Sequence, residues 1–182
     1  MMLRGVGMNP TRTGAIDILS AMGADITAHN ERIEGGEPVA DLEVAHGPLR
    51  GIVIPQTLVP LAIDELPVLM VAAACAVGQT VLRGAAELRV KESDRIATTI
   101  EGLRNLGVVV EEFDDGMCVH GGQFSGGTVH SHGDHRIAMA FAMAAMVSSG
   151  LVRIEDCGCV QTSFPGFAQL CVRAGMNIDI VE

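Results

Sequence analysis

The chain has 182 residues, with 12 Lys or Arg against 22 Asp or Glu, so its formal net charge is −10. This acidic balance argues against a nucleic-acid surface, and the absence of Trp and Tyr argues against stacking on bases. The length suits one domain with a sizeable core, which must be built from Ala, Val, Ile, Leu and Met.

The cysteines and the apolar runs predict a cytosolic protein. The five Cys are an odd number in no pattern of metal ligands, and no secretory segment precedes them, so we expect reduced thiols. The longest apolar runs, residues 67–78 and 137–147, are shorter than the roughly 18 residues that cross a bilayer.

The first third of the chain predicts strands and one amphipathic helix. A turn and cap signal at residues 9–13 precedes an apolar stripe of Ile16, Leu19 and Met22, and Gly23 ends the helix. Alternating or short apolar runs, separated by Gly-Gly and Gly-Pro turns, predict strands. They lie at residues 3–8, 25–28, 33–44 and 49–54.

The rest of the chain predicts two helices that are apolar all round, as buried helices must be, at residues 68–77 and 137–147. Each is followed by a strand, an amphipathic helix ending in Gly, and a further strand. The amphipathic helices are predicted at 96–106 and 166–174. The strands are predicted at 80–83, 108–112 with its hairpin partner 117–120, 151–154 and 177–181.

This order of elements recurs about every 60 residues, which predicts three stacked units with pseudo-symmetry. The first unit lacks its opening half. Wholly apolar helices within strand-bearing units favour an α/β fold with helices at the centre and sheets outside them.

Charged residues open three of the predicted helices. Near residue 91, Lys91, Glu92 and Arg95 are spaced to share a helix face, and cations there oppose the helix dipole unless an anion binds. Surface ion pairs explain this group equally well. Asp64 and Asp134 can be simple N-caps, but Arg136 before an apolar helix again indicates an anionic ligand.

Together these segments supply two candidate acid/base carboxylates, Asp64 and Glu92, and three cations, Lys91, Arg95 and Arg136. Such a set suits chemistry on a phosphorylated carboxylate. The competing interpretation is a zinc site at the histidines of residues 130–135, although no distant Cys or Glu completes it. His29, His46 and His120 are isolated, and we expect them at the surface or in turns.

The string Leu-Arg-Val-Lys-Glu-Ser-Asp-Arg at residues 88–95 resembles the signature of the 5-enolpyruvylshikimate-3-phosphate (EPSP) synthase family, the enolpyruvyl transferases of the shikimate pathway. Residues 134–139 resemble its second signature, and residues 63–67 the segment carrying its catalytic aspartate. Residues 9–14 and 162–165 also match. The similarity thus runs nearly end to end and is closest to the bacterial branch that includes glyphosate-tolerant enzymes.

The resemblance implies an inside-out α/β barrel of three βαβαββ-like repeats. Residues 1–182 would be the C-terminal one of two domains, without the N-terminal one. The implied reaction transfers the enolpyruvyl group of phosphoenolpyruvate to the 5-hydroxyl of shikimate 3-phosphate and releases phosphate, with no metal or cofactor. Asp64 would accept the hydroxyl proton and Glu92 would protonate the methylene group. Lys91 would contact shikimate 3-phosphate, and Arg95 and Arg136 would hold phosphoenolpyruvate.

Two departures limit this inference. Many members carry Lys just before the Phe-Pro near the C-terminus, where this chain has Gln161-Thr162-Ser163. Residues that the family contributes from its other domain are absent, so we expect the isolated chain to be inactive. The alternatives are the related UDP-N-acetylglucosamine enolpyruvyl transferase, or a domain that binds anions or self-associates through its exposed cleft face without catalysis.

Overall fold

Helices pack against one another at the centre of the molecule in the computed structural model, which describes residues 1–180. Eight strands and six α-helices alternate along this range. They are β1 (Met2–Gly7), α1 (Gly14–Ala21), β2 (Asp25–Glu34), β3 (Glu37–Ala45), α2 (Leu66–Ala74), β4 (Gln79–Leu82), α3 (Arg95–Asn105), β5 (Val110–Phe113), β6 (Gly116–His120), β7 (Gly127–His130), α4 (His135–Ala145), β8 (Val152–Glu155), α5 (Cys159–Ser163) and α6 (Phe167–Arg173). Short 3-10 turns lie at Gln56–Leu58, Pro60–Ala62 and Ala86–Val90.

Two antiparallel sheets share one topology, so the predicted repeat is seen in two of the three expected units. Their strand orders are β1-β3-β2 and β4-β6-β5. In each, a strand leads into a helix and then a hairpin, and the second hairpin strand returns to pair with the first strand. The same chain path therefore occurs twice.

The other half of the repeat is a parallel crossover. β7 and β8 pair in parallel on either side of α4. Two isolated parallel bridges, Arg50 with Val77 and Val53 with Val81, join the segments on either side of α2 in the same way.

The core joins the first four helices to the inner face of the β4-β6-β5 sheet and to β7 and β8. α2 packs against α4, and most of their apolar residues are buried. The core members include Ile18, Met22, Leu69, Met70, Leu82, Ile96, Ile100, Leu103, Met117, Val119, Val129, Ile137 and Phe141. None of the helices in the described range has the length and apolar character needed to cross a membrane.

Some predicted boundaries were wrong. Residues 49–54 form only isolated bridges, because Pro48 and Pro55 bracket the segment and lack the N–H groups that would extend a ladder. β2 continues to Glu34 instead of ending at residue 28. No strand forms over residues 177–180, and residue 181, the end of that predicted strand, lies outside the described range.

Gly102 on α3 lies against the ring of Phe141 on α4. A Cβ atom placed there would overlap the ring of the buried Phe141. We expect Gly102→Ala to destabilise the fold by about 1–3 kcal/mol through overpacking, even though Ala favours an isolated helix by about 1 kcal/mol. Urea denaturation would measure the change.

The matched control is Gly122→Ala, because a Cβ atom at Gly122 meets nothing within 4 Å. We expect this substitution to leave the free energy of unfolding within about 0.5 kcal/mol of the original value. A Gly102→Ala protein as stable as the control would contradict the tight packing of α3 on α4.

Candidate active site

The N-terminal ends of α2, α3 and α4 converge on one cluster of charged side chains. Arg95, the first residue of α3, contacts both Asp64, which lies just before α2, and Asp134, which lies just before α4, although the three are far apart in the sequence. Helix N-termini carry partial positive charge and free N–H groups. Their convergence therefore gives this end of the molecule a field that favours anions.

Arg95 lies at the centre of the cluster and is only 1% exposed. Its Nε donates to Asp134 Oδ2 at 2.8 Å, and its Nη1 donates to Asp64 Oδ1 at 3.2 Å. Its Nη2 donates to Glu92 Oε2 at 2.5 Å. One guanidinium thus fixes three carboxylates that come from three separate segments.

Asp134 is the fully buried partner of Arg95, with 0% exposure. It is also the N-cap of α4, because it accepts a hydrogen bond from the Arg136 N–H at 2.9 Å, and it accepts another from the Ser93 hydroxyl at 3.1 Å. Burial is the largest single effect and raises the pKa of Asp134, but the hydrogen bond and charge of Arg95, together with the hydrogen bonds from Arg136 and Ser93, lower that pKa on balance. Asp134 is therefore held as a carboxylate.

Asp64 and Glu65 lie between two further guanidiniums. Arg12 donates to Asp64 Oδ2 at 3.3 Å and to Glu65 Oε1 at 2.9 Å. Arg136 Nη1 donates to the Asp64 carbonyl at 3.0 Å, and its Nη2 lies 3.8 Å from Asp64 Oδ2. The other oxygen of Glu65, Oε2, is buried and receives no hydrogen bond from the described residues.

The pKa of Asp64 is lowered on balance. Burial is the largest single effect and raises this pKa, but Arg136, Arg12, Lys91 and Arg95 together outweigh it. The Asp64 side chain is 25% exposed and that of Glu92 is 54% exposed. Both candidate acid/base groups therefore reach the surface above the buried Arg95.

Lys91 was wrongly placed by the sequence prediction, because it lies before the helix and not in its first turn. The backbone at Lys91 is extended after the 3-10 turn, and α3 begins only at Arg95. Asp94 is the N-cap, accepting from the Ala97 N–H at 3.0 Å. Lys91 forms an ion pair with Glu87 at 2.5 Å and also acts electrostatically on Asp64.

The structure settles which aspartates cap helices. Asp134 caps α4 as predicted, whereas Glu65 occupies the N-cap position of α2 and makes no side-chain cap bond, so the prediction for Asp64 was wrong. The carboxylate of Asp64 turns to the guanidiniums instead. The sequence pattern missed Arg12 and Glu65, whose contact joins residues 53 apart in the chain.

The histidines of residues 130–135 do not converge on one metal position in the described range. His130 pairs with Glu155 at 3.2 Å, while His132 pairs with Glu101 at 3.1 Å. His120 is the last residue of strand β6, and its partly exposed side chain contacts Glu111 at 2.9 Å.

Comparison with known proteins identifies relatives over the whole range. The sequence model of the EPSP synthase family (3-phosphoshikimate 1-carboxyvinyltransferase) matches residues 1–170. A 3-phosphoshikimate 1-carboxyvinyltransferase of Alkalilimnicola ehrlichii is 63% identical over 177 residues, which cover 97% of this chain and 40% of that protein. One from Xanthomonas oryzae is 57% identical over 182 residues, or 100% of this chain and 41% of that protein. The chain thus spans about two fifths of the length of these relatives.

Solved structures agree. The 2.37 Å structure of EPSP synthase from Acinetobacter baumannii superposes with a TM-score of 0.96 at 52% identity, covering 100% of this chain and 43% of that one. The enolpyruvyl transferase NikO from Streptomyces tendae gives a TM-score of 0.73 at 20% identity, which shows a shared fold alone. The predicted α/β fold is therefore confirmed.

Asp134 and Asp94 form a matched pair of capping aspartates, one buried against Arg95 and one half-exposed against Arg89. Asn keeps the capping oxygen but removes the charge. We expect Asp134→Asn to lower the free energy of unfolding by about 3–5 kcal/mol, because it leaves part of a buried charge uncompensated. Asp94→Asn should cost about 1 kcal/mol or less. If the two substitutions lowered the free energy of unfolding equally in urea denaturation, the result would contradict a stabilising role for the buried ion pair of Arg95 and Asp134.

The lowered pKa of Asp134 also sets a pH dependence. A depressed pKa stabilises the folded state fully above the unfolded value, 3.8, and this contribution is lost as the pH falls through the lower folded pKa. We expect the stability difference between the original protein and Asp134→Asn to be constant above about pH 5 and to shrink below about pH 4. A difference that stays constant in acid would contradict this assignment.

Proposed function

The chain belongs to the EPSP synthase family, and we propose that it supplies one half of an active site that transfers the enolpyruvyl group of phosphoenolpyruvate to the 5-hydroxyl of shikimate 3-phosphate. The observation that carries this proposal is the joint placement of Asp64, Glu92, Arg95 and Arg136 at three helix N-termini. Proton-transfer groups and anion-binding groups then lie within reach of one bound substrate.

Both proposed substrates carry a phosphate and a carboxylate, so binding requires several cations. The Arg136 guanidinium is at the surface and can offer a forked pair of donors to phosphoenolpyruvate. Lys91, on the extended backbone before α3, would contact the phosphate of shikimate 3-phosphate as a point charge. The converging helix N-termini add their partial positive charge to both contacts.

Asp64 is proposed to accept the proton of the attacking hydroxyl. Its ion pairs with Arg12, Arg95 and Arg136 make it a weak base in the unliganded arrangement. An anion that competes for Arg136 would weaken these pairs and raise the basicity of Asp64. The base would then be activated by the arrival of phosphoenolpyruvate.

Glu92 is proposed to deliver a proton to the methylene carbon of phosphoenolpyruvate. Protonation there leaves the neighbouring carbon electron-poor, so the hydroxyl oxygen bonds to it and a tetrahedral adduct forms. Cleavage of the C–O bond to phosphate, with loss of a proton from the new methyl group, then gives the enol ether product. The contact with Arg95 orients the Glu92 carboxylate for both proton transfers.

Arg95 is proposed to act mainly by positioning, because its guanidinium is buried and engaged with three carboxylates. It would touch phosphoenolpyruvate only when the ligand displaces Asp64 or Glu92 from its Nη atoms. This adjusts the expectation from the family resemblance, in which Arg95 holds the substrate directly.

We further propose that residues 1–182 form the C-terminal domain of a two-domain cytoplasmic enzyme. The chain covers 40% of one relative, and Val90, beside Lys91, is an apolar side chain that is 80% exposed. A second domain that closes over this face would cover Val90 and add residues to the site. All five cysteines are free thiols, in keeping with a reducing compartment.

Two alternatives remain as outcomes for experiment. The family match and the names of the relatives favour shikimate 3-phosphate over UDP-N-acetylglucosamine as acceptor. A chain that binds anions or self-associates through the face bearing Val90, without catalysis, is the non-enzymatic alternative.

The test measures phosphate release from phosphoenolpyruvate and shikimate 3-phosphate, using the chain alone and mixed with the N-terminal segment of the Alkalilimnicola relative. We expect release only in the mixture. Glu92→Gln should lower the rate by about 10²–10⁴-fold, because the proton donor is lost. Glu101→Gln, on the exposed side of α3, is the matched control and should leave the rate unchanged.

Full activity of the Glu92→Gln mixture would contradict the assigned acid. Turnover with UDP-N-acetylglucosamine in place of shikimate 3-phosphate would contradict the proposed acceptor. If the two segments associate in sedimentation experiments but release no phosphate, the proposal of a competent half-site is wrong and the non-catalytic alternative stands.

A further inference from the structure

Three different metal-ligating side chains meet on the outer face of the β4-β6-β5 sheet. They are Glu111 on β5 and Cys118 and His120 on β6, and one ligand atom from each lies within 4.8 Å of the others. Glu111 is paired directly with Cys118 in the antiparallel register, and His120 is two residues further along β6. Since side chains alternate along a strand, all three lie on the face opposite to the core residue Val119.

We propose that Glu111, Cys118 and His120 bind a zinc ion. A thiolate, an imidazole and a carboxylate are the ligand types that zinc takes in tetrahedral sites, and three protein ligands leave a fourth position for water. Cross-strand neighbours have Cβ atoms about 4.5–5.5 Å apart, so small side-chain rotations bring the three donors to one ion. The site lies on paired strands, which hold its spacing.

The His120 ring presents Nε2 to the place where the ion would sit, 2.9 Å from Glu111 Oε1. Its Nδ1 lies 3.4 Å from the side-chain amide nitrogen of Gln79 on β4, which can donate to it. Zinc at Nε2 would leave the ring proton on Nδ1, and the Gln79 amide, once turned over, would accept a hydrogen bond from this proton through its oxygen.

The surroundings of Cys118 make it a specific ligand. Its side chain lies in the central strand of the sheet and the residue is only 5% exposed, so bulk water has little access to the sulfur. A soft thiolate beside an imidazole selects zinc over magnesium or calcium, which prefer all-oxygen sites.

The proposed zinc site is separate from the catalytic cluster and does not depend on the proposed reaction. The strand turn after His120 bonds to the C-terminal end of α2, since the Gly122 N–H donates to the Ala74 carbonyl at 2.9 Å. The catalytic cluster lies at the N-terminal end of the same helix. A zinc ion at this site would link β5 to β6 and stabilise the sheet. It would take no part in the proposed reaction.

Another cross-strand pair provides the matched control. His29 and Glu43 lie on the paired strands β2 and β3, with Nε2 3.0 Å from Oε2. Within residues 1–180, however, no cysteine joins this pair to complete a group of three ligands. An exposed histidine and carboxylate alone should bind zinc only weakly.

The experiment titrates the 182-residue chain with Zn²⁺ against a chromophoric chelator and, separately, with Co²⁺. We expect one ion per chain and a near-ultraviolet thiolate-to-Co²⁺ absorption band. Cys118→Ser should abolish the band, and His120→Ala should weaken zinc binding by tenfold or more. Gln79→Leu should weaken it by about tenfold through loss of ring orientation. His29→Ala should change neither the Co²⁺ band nor the affinity for zinc.

The assignment would be overturned if Cys118→Ser kept the Co²⁺ band or if His132→Ala lost it. It would also be overturned if the original chain bound no Zn²⁺. If Cys118→Ser does not fold, alkylation of the original chain decides the matter. Zinc should slow modification of Cys118, mapped by mass spectrometry, and leave Cys75 unaffected. Equal alkylation of Cys118 with and without zinc would overturn the proposal.

Discussion

The buried ion pair between Arg95 and Asp134 is the interaction on which the rest of the site depends. Removing two charges from water costs several kcal/mol per ion, which their attraction repays only when the remaining hydrogen-bonding groups are satisfied. Here the Arg136 N–H and the Ser93 hydroxyl donate the remaining hydrogen bonds to Asp134. Asp64 and Glu92 accept the remaining hydrogen bonds of Arg95. Two of the groups that make this burial tolerable, Asp64 and Glu92, are thus the groups proposed to carry out proton transfer.

The repeat explains why these groups meet. α2 and α4 occupy equivalent places in two crossovers, and α3 follows β4 as α1 follows β1, so related helices begin at related points of the chain path. The starts of α2, α3 and α4 converge on one end, where their dipoles add instead of cancelling. Stacking of the units therefore creates an anion-attracting surface on a chain whose net charge is −10.

Much of the fold could be predicted from the sequence, because buried helices and repeated glycine-ended segments leave local patterns. The charged segments at Asp64, Glu92 and Arg136 were also visible. The side chains that pair with these charged residues could not be predicted from the sequence. A contact such as that of Arg12 with Glu65 joins distant residues, because α1 packs beside α2. Lys91 was misplaced because Asp94, a strong cap signal within the same charged string, is the N-cap, so Lys91 lies before α3 and not in its first turn.

Charge balance within the cluster explains why the proposed half-site would need a second segment. Arg12 is paired with Glu65, Arg95 with Asp134, Arg136 with Asp64 and Lys91 with Glu87. An incoming phosphate or carboxylate must therefore exchange with a protein carboxylate, and the net gain from each exchange is small. A second segment could supply cations that have no carboxylate partners of their own. These cations would make the exchange favour substrate binding. The released Asp64 would then be free to act as a base, so substrate binding and base activation would be coupled through the same guanidiniums.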